Sequence, residues 1–267
     1  GEYMHRDAFD IADRYGKDMF VAIERMGTAR LPRLFAAKSW VDNLPCIRPG
    51  WSDRMMQRFG RLLPDHLPPE MRRFRDRFAH HLLLKMPARA AAEARELLAA
   101  DFDGGEADHF ECTPALGAKA FLHRFVAAGA AVRYRAVHRQ AVADIVALDI
   151  ALPRNATAWQ EILPADLAAQ SIHSLYYGHF FCHVFHQDYI VRRGVDPLAF
   201  EHRIWALLDE RGAEYPAEHN VGHLYRAKPA LERFYRSLDP RNQCNPGLGQ
   251  TTRQRYWGGQ QKEAARP

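Results

Sequence analysis

The sequence predicts an α+β fold, with helices gathered early and strands later. Three observations predict it: apolar residues recur at helical spacing through most of the first half, two β-rich runs lie between residues 131 and 152, and an aromatic, β-branched stretch fills Tyr176 to Val191. With 267 residues, 47% of them hydrophobic, the chain can bury a substantial core in one large or two modest domains.

Taken in order, Phe9, Ala12, Phe20, Ile23 and Met26 follow a 3.6-residue period and predict one helix over 7–27, with Gly27 as its stop. Pro32, Pro45, Pro49, Pro64, Pro68 and Pro69 interrupt the stretch 31–69, which is expected to hold short irregular elements and the apolar Trp40, Trp51 and Phe59. A basic, aromatic, amphipathic helix is expected over 70–84, because Phe74 and Phe78, like Arg73 and Arg77, stand four apart and Leu82 continues the apolar side. Further helices are expected over 88–100 and over 114–128, the second ending near Gly129, with a loop at 101–108 around Gly104-Gly105. Residues 131–138, 145–152 and 176–191 read as strands from their β-branched and aromatic content. Leu198, Ile204, Leu207 and Leu208 define a helix over 196–211 capped by Gly212, another follows over 228–238, and the tail 258–267 reads as disordered.

Charge is uneven. Residues 25–89 carry 14 Lys and Arg against 5 Asp and Glu, a net of +9, which leaves the rest of the chain at −4. Such asymmetry suits an anionic lipid surface, with aromatic rings anchoring at the interface. It equally suits a solvated basic face whose aromatics fill a core; nucleic acid is disfavoured because no recognition motif accompanies the charge. Cys46, Cys112, Cys182 and Cys244 are scattered without a Cys-x-x-Cys pair, which fits a reducing compartment and neither a zinc knuckle nor a disulfide framework. No run of roughly 18 apolar residues is present, so a soluble or peripheral protein is expected. The opening Gly1-Glu2-Tyr3 reads as the interior of a structured unit, and the chain is expected to be a fragment.

The residues with chemistry lie late. His179 and His186, with Glu218 beside His219, offer two imidazoles and a carboxylate, the usual ligand set of a divalent metal such as zinc. His219 is the candidate base, since an imidazole titrating near 6.5 can accept a hydroxyl proton at neutral pH. Spacing alone leaves satisfied core histidines as the competing reading: a separation of seven puts His179 and His186 on opposite faces of a continuous strand, and they converge only where the strand turns or bulges. His183 and His223 read as structural, and His80-His81 as part of the basic surface. No Gly-x-Ser-x-Gly elbow, Walker loop or Gly-x-Gly-x-x-Gly turn occurs, so hydrolase, nucleotide-triphosphatase and Rossmann readings are weak, and a nucleotide cofactor would be held mainly elsewhere.

Longer segments carry a resemblance. They are Gly1-Glu2-Tyr3-Met4-His5-Arg6-Asp7, Pro64-Asp65-His66-Leu67-Pro68-Pro69, His80-His81-Leu82-Leu83-Leu84-Lys85-Met86, Lys119-Ala120-Phe121-Leu122-His123-Arg124-Phe125, Tyr177-Gly178-His179-Phe180, Phe185-His186-Gln187-Asp188-Tyr189-Ile190-Val191 and Tyr215-Pro216-Ala217-Glu218-His219-Asn220-Val221-Gly222-His223-Leu224-Tyr225. Across essentially its whole length the chain closely resembles the C-terminal half of the bacterial respiratory, quinone-dependent D-lactate dehydrogenases. The resemblance implies a flavoprotein of the vanillyl-alcohol-oxidase type, peripheral on the cytoplasmic face of the inner membrane, that oxidises D-lactate to pyruvate and passes electrons through FAD to a membrane quinone. It implies an electropositive membrane-binding region at 1–77, a discontinuous cap domain of antiparallel sheet and helices at 78–209 with a membrane-region excursion near 116–139, and a return to the FAD domain at 210–257. The resemblance further implies that His219, with Glu218, is the catalytic base and that His179, His186 and Glu218 are ligands of a possible divalent metal. Arg124 and Arg133 would hold the substrate carboxylate, and Asn245 and Gly247 would lie near the flavin. Wider relatives that oxidise 2-hydroxy acids have a glycine-rich turn between the two histidines, where this chain has Phe181-Cys182-His183-Val184, and a glycine where it has Asn220.

Overall fold

A computed structural model describes residues 1–101, 106–217 and 225–259. Strand β1 (Glu2–His5) leads directly into α1 (Arg6–Tyr15), whose first turn is capped by the His5 side chain accepting from the Asp7 N–H. Helix α2 (Lys17–Met26) follows, so the single helix expected over 7–27 is two, broken at Gly16. A Cβ on Gly16 would stand 2.7 Å from the Ala12 carbonyl oxygen and 3.0 Å from Val126, so the break is also a close approach. Gly27, at φ 74°, ends the second helix as expected.

The proline-rich stretch is more helical than the sequence predicts. Helix α3 (Leu31–Asp42) holds Pro32 in its first turn, where the missing N–H takes nothing from the helix, and α4 (Trp51–Gly60) starts only after Pro45 and Pro49 have been spent in the connection. Helix α5 (Pro69–Arg77) stops seven residues short of the expected end, because β2 (His80–Leu83) is drawn into a ladder with β1. His80 and His81 therefore belong to a strand, not to a basic helix, and the Tyr3 hydroxyl and His80 Nδ1 are hydrogen-bonded at 2.8 Å.

Helices α6 (Ala91–Asp101), α7 (Pro114–Phe125) and α8 (Ala127–Val137) come next. The strand expected over 131–138 is thus the end of α8, and Gly129 lies inside that helix against Met19 instead of ending α7. Small Ala127, Ala130 and Ala131 let α8 pack closely on α1, a tertiary gain that overrides β-propensity. Strand β3 (Val142–Ala151) bears out the strand expected there. After α9 (Ala165–Ala168), the single strand expected over 176–191 is instead a hairpin of β4 (Ser171–His179) and β5 (Val184–Arg192). Helix α10 (Pro197–Glu210) is capped by Asp196 and followed by Gly212 at φ 64°, and α11 (Pro229–Leu238) closes the helical set. Gly258 ends a short 3-10 helix (Arg255–Gly258) and Gly259 follows it, while Gly104-Gly105 and residues 260–267 fall outside the described residues.

The strands form one antiparallel sheet in the order β2-β1-β4-β5-β3. Because β1 lies between β2 and β4, the segments 1–77 and 78–209 share a sheet. Helices α1, α2, α7 and α8 cover one face over Met4, Leu175, Tyr177 and Ile190, and α10 covers the other over Leu148, Phe185, Tyr189 and Val191. Gly178 is required where β4 passes β5: a Cβ there would meet the Val184 carbonyl oxygen at 2.5 Å and the Phe185 Cα at 2.7 Å, both backbone atoms that cannot rotate away.

Among the described residues, His123 and His81 of the helix-covered core form no ion pair. His123 is fully buried, donates its Nε2–H to the Phe9 carbonyl at 3.0 Å and packs 4.3 Å from the Phe9 ring; burial pushes its pKa down to about 3. Burial likewise lowers His81, to about 4. A depressed imidazole pKa means that the unfolded chain binds more protons between the two values, so stability is lost as pH falls from about 6.5 toward 3. Urea unfolding should show His123 alone removing on the order of 2 kcal/mol between pH 7 and pH 5, and His123→Phe should flatten that dependence; an unchanged pH profile would refute the assignment.

Candidate functional site

Antiparallel pairing builds a polar cluster at one end of the sheet. Tyr177 stands opposite His186, His186 opposite Asp149, and Glu2 opposite His179. Directly opposed residues share a face, as do residues two apart along a strand, so Glu2, Tyr177, His179, His186, Asp188 and Asp149 all point to the side covered by α7. The objection raised by the seven-residue spacing is removed by the turn at Phe180–Cys182, where His183 takes the left-handed conformation at φ 55° and reverses the chain. The two histidine rings stand 5.4 Å apart, nearly perpendicular.

Each imidazole is oriented by a carboxylate. His179 Nδ1 lies 3.0 Å from Glu2 Oε1, and His186 Nδ1 lies 2.5 Å from Asp149 Oδ1. A proton on Nδ1 directs the Nε2 lone pair to the opposite side of each ring, the arrangement found in metal-ligating histidines. Donor chemistry therefore suits a divalent metal in part, yet among the described residues no group of three His, Cys, Asp or Glu could hold one. Glu218, the third expected ligand, lies outside the described residues, as do His219, Asn220 and His223. The chain leading to them is docked on the cluster: Glu214 pairs with Ala151, and the Ala217 N–H donates to the Asp149 carbonyl at 2.8 Å.

Arg124 enters from α7. Its Nε is 2.8 Å from Glu2 Oε2, and its guanidinium lies 5.0 Å over the Tyr177 ring. The Tyr177 hydroxyl donates to Asp188 at 2.7 Å; burial is the main cause that pushes Asp188 up to about 6 and raises Tyr177 well above the phenol range. Arg133, by contrast, is committed to a buried network: its Nε donates to Asp53 at 2.9 Å and its Nη1 to Asp18 at 3.1 Å. The two arginines expected to share a substrate are thus held by different partners on different helices.

Asn245 and Gly247 lie in the return 239–258, which is closed on itself. Asp239 accepts from the Gln243 and Cys244 N–H groups, Asn242 donates to the Thr252 and Gln254 carbonyls, and Gly247 adopts φ 88°. Among the described residues no hydrogen bond or ion pair joins Asn245 or Gly247 to the histidine cluster. Glu2, Asp149 and Asp188 were missed by sequence reasoning. Asp149 had a signal, being the one acid in the apolar run 145–152, and Asp188 shares the period-two side of His186.

On the outside, helices α3 and α4 present Phe35, Trp40 and Phe59 to solvent together with several arginines. Among the described residues no single helix is long and apolar enough to cross a membrane; the bent pair α7 and α8 passes by length and composition, but buries Ala120, His123, Ala127, Ala130 and Ala131.

A mixed α+β module with a polar cluster at one end of its sheet and a basic, outward-apolar helical surface is what fold and site define. The chain belongs to the family described as D-lactate dehydrogenase, membrane binding, whose model matches residues 1–257. It is 54% identical over 261 residues to the quinone-dependent D-lactate dehydrogenase of Escherichia coli, 51% over 262 residues to that of Haemophilus influenzae and 42% over 263 residues to that of Corynebacterium glutamicum. In each case 96% of this chain and 46% of the relative are covered, so the chain spans about half the length of the curated relatives it matches.

Removing the Arg133 cation should leave Asp18 without its buried partner and Asp53 with Lys38 alone. Urea unfolding of Arg133→Met is expected to show a loss of about 3–5 kcal/mol, partly recovered by adding Asp53→Asn; a loss below about 1 kcal/mol would mean that the network does not hold α4 to α8.

Proposed function

We propose that this chain is the membrane-binding and substrate-side portion of an FAD-dependent D-lactate dehydrogenase that delivers electrons to a membrane quinone. The observation that carries the reading is the family match over residues 1–257 together with 42–54% identity to quinone-dependent D-lactate dehydrogenases. Its location is the cytoplasmic face of the inner membrane, as a peripheral protein. The residues that hold FAD lie mainly in the part of those relatives that this chain does not span, with Asn245 and Gly247 contributing from the return; when bound, FAD supplies the two-electron acceptor.

In this reading Arg124 takes the lactate carboxylate, for which a guanidinium fork is suited, and its salt bridge to Glu2 and its seat over Tyr177 fix its direction. The expected substrate role of Arg133 gives way to a positioning role, since Asp18 and Asp53 already occupy its fork. His219, assisted by Glu218, takes the hydroxyl proton as the C2 hydrogen leaves with its electron pair. Docking of Ala217 on Asp149 supports this, because it brings the chain to the cluster immediately before those residues. His179, His186 and Glu218 are the proposed ligands of a divalent metal, which would polarise the substrate hydroxyl.

Three measurements test this function. In a full-length enzyme containing this segment, His219→Ala should slow flavin reduction by D-lactate by about 10²–10⁴-fold, and normal reduction would remove the base assignment. The 267-residue chain alone should show no D-lactate turnover; turnover would overturn the division of labour. The same chain should sediment with vesicles containing anionic phospholipid, more weakly as salt rises, and much less with zwitterionic vesicles.

A further inference from the structure

Helix α4 is built inside out. Its Ser52, Asp53, Gln57 and Gly60 are buried, while Trp51, Met55 and Phe59, four apart, run along the opposite side with Arg54 and Arg58 on one flank. The inward polar groups are all matched: Asp53 by Lys38 and Arg133, Ser52 by Asp42, and Gln57 by the Arg14 carbonyl. Helix α3 buries no residue and turns Leu34, Phe35 and Trp40 outward. Exposure reaches 67% at Trp40, 61% at Phe59 and 81% at Leu62. In the same segment Arg30, Arg33, Arg48, Arg54, Arg58 and Arg61 form no ion pair among the described residues.

A surface helix of a water-soluble protein turns its apolar side inward. Here the polar side is inward and fully matched, so no rotation of α4 could bury the apolar side without stranding Asp53 and Gln57. A second copy of the chain, the half of the relatives that this chain does not span, or a lipid surface would cover such a face, and the family's description as membrane binding favours the lipid surface. A second copy would bring its own unpaired arginines against these, whereas an anionic bilayer offers headgroups to the arginines and acyl chains to the rings.

We infer that the α3–α4 pair, residues 31–62, inserts Phe35, Trp40, Trp51, Phe59 and Leu62 into the acyl boundary of an anionic bilayer, so that attachment is held by apolar burial as well as by charge. The inference rests on the lipid-binding reading above but adds a claim that reading lacks. Charge attraction between exposed groups is largely screened at high salt, where the Debye length falls to about 3 Å at 1 M, and apolar burial is not. The buried network of Asp18, Asp53, Lys38 and Arg133 is then the mount that keeps the inserted side outward.

Vesicles of phosphatidylcholine and phosphatidylglycerol brominated on their acyl chains give the test, using the 267-residue chain. Trp fluorescence should be quenched on binding, and the quenched part should fall in Trp40→Phe and Trp51→Phe, while Trp205→Phe leaves it unchanged. In 0.5 M NaCl a residual bound fraction should persist, and Phe59→Gln with Leu62→Gln should lower it at least tenfold; both sites are solvent-exposed, and far-ultraviolet circular dichroism checks that the fold is kept. Binding at low salt without Trp40 or Trp51 quenching, or binding abolished by 0.5 M NaCl, overturns insertion while leaving the electrostatic reading intact. No binding to anionic vesicles at low salt overturns both readings, and vesicle-free dimerisation lost in the double variant reassigns the face to a second copy.

Discussion

The antiparallel pairing of β4 with β5 is the constraint on which the rest of the molecule depends. It sets Tyr177 against His186, and through the neighbouring ladders it brings Glu2 from the start of the chain and Asp149 from its middle to the same end of one face. Gly178 makes that pairing possible, because the β5 backbone occupies the space that any side chain would need. The same sheet divides the core in two, with helices α1, α2, α7 and α8 on one side and α10 on the other.

Carboxylates recur as the devices that orient basic side chains. Glu2 and Asp149 each hold one imidazole, Glu2 also holds Arg124, and Asp18 with Asp53 holds Arg133. Where a carboxylate has no cation of its own, as at Asp188, burial raises its proton affinity and a phenol completes its hydrogen bonding. The histidines of the helix-covered core follow the same rule in reverse: buried without an adequate anion, they are held neutral.

Charge and apolar surface meet in the α3–α4 pair, and here fold and membrane association have a common origin. Asp53 and Gln57 are polar residues on the side where a helix normally puts its core, and their pairing with Arg133 and the Arg14 carbonyl leaves Trp51 and Phe59 no place but the outside. The basic asymmetry of residues 25–89, read from composition, thereby acquires a direction.

Much was legible in the order of residues. The α+β class, β3, the helices over 197–210 and 229–238, the stop at Gly27 and the family resemblance all follow from local periodicity, caps and long matched segments, which are properties of neighbours along the chain. The helical nature of 131–137 and the strand at His80–Leu83 were not, because each is decided by a partner remote in sequence, α1 for the first and β1 for the second; the hairpin in 176–191 was hidden because its turn rests on His183 in the left-handed conformation and not on a glycine there. The same reason governs the site. His179 and His186 could be named from the residues alone, but Glu2 lies 177 positions from His179 and Asp149 lies 37 from His186, and only tertiary pairing could make them the carboxylates that aim those rings.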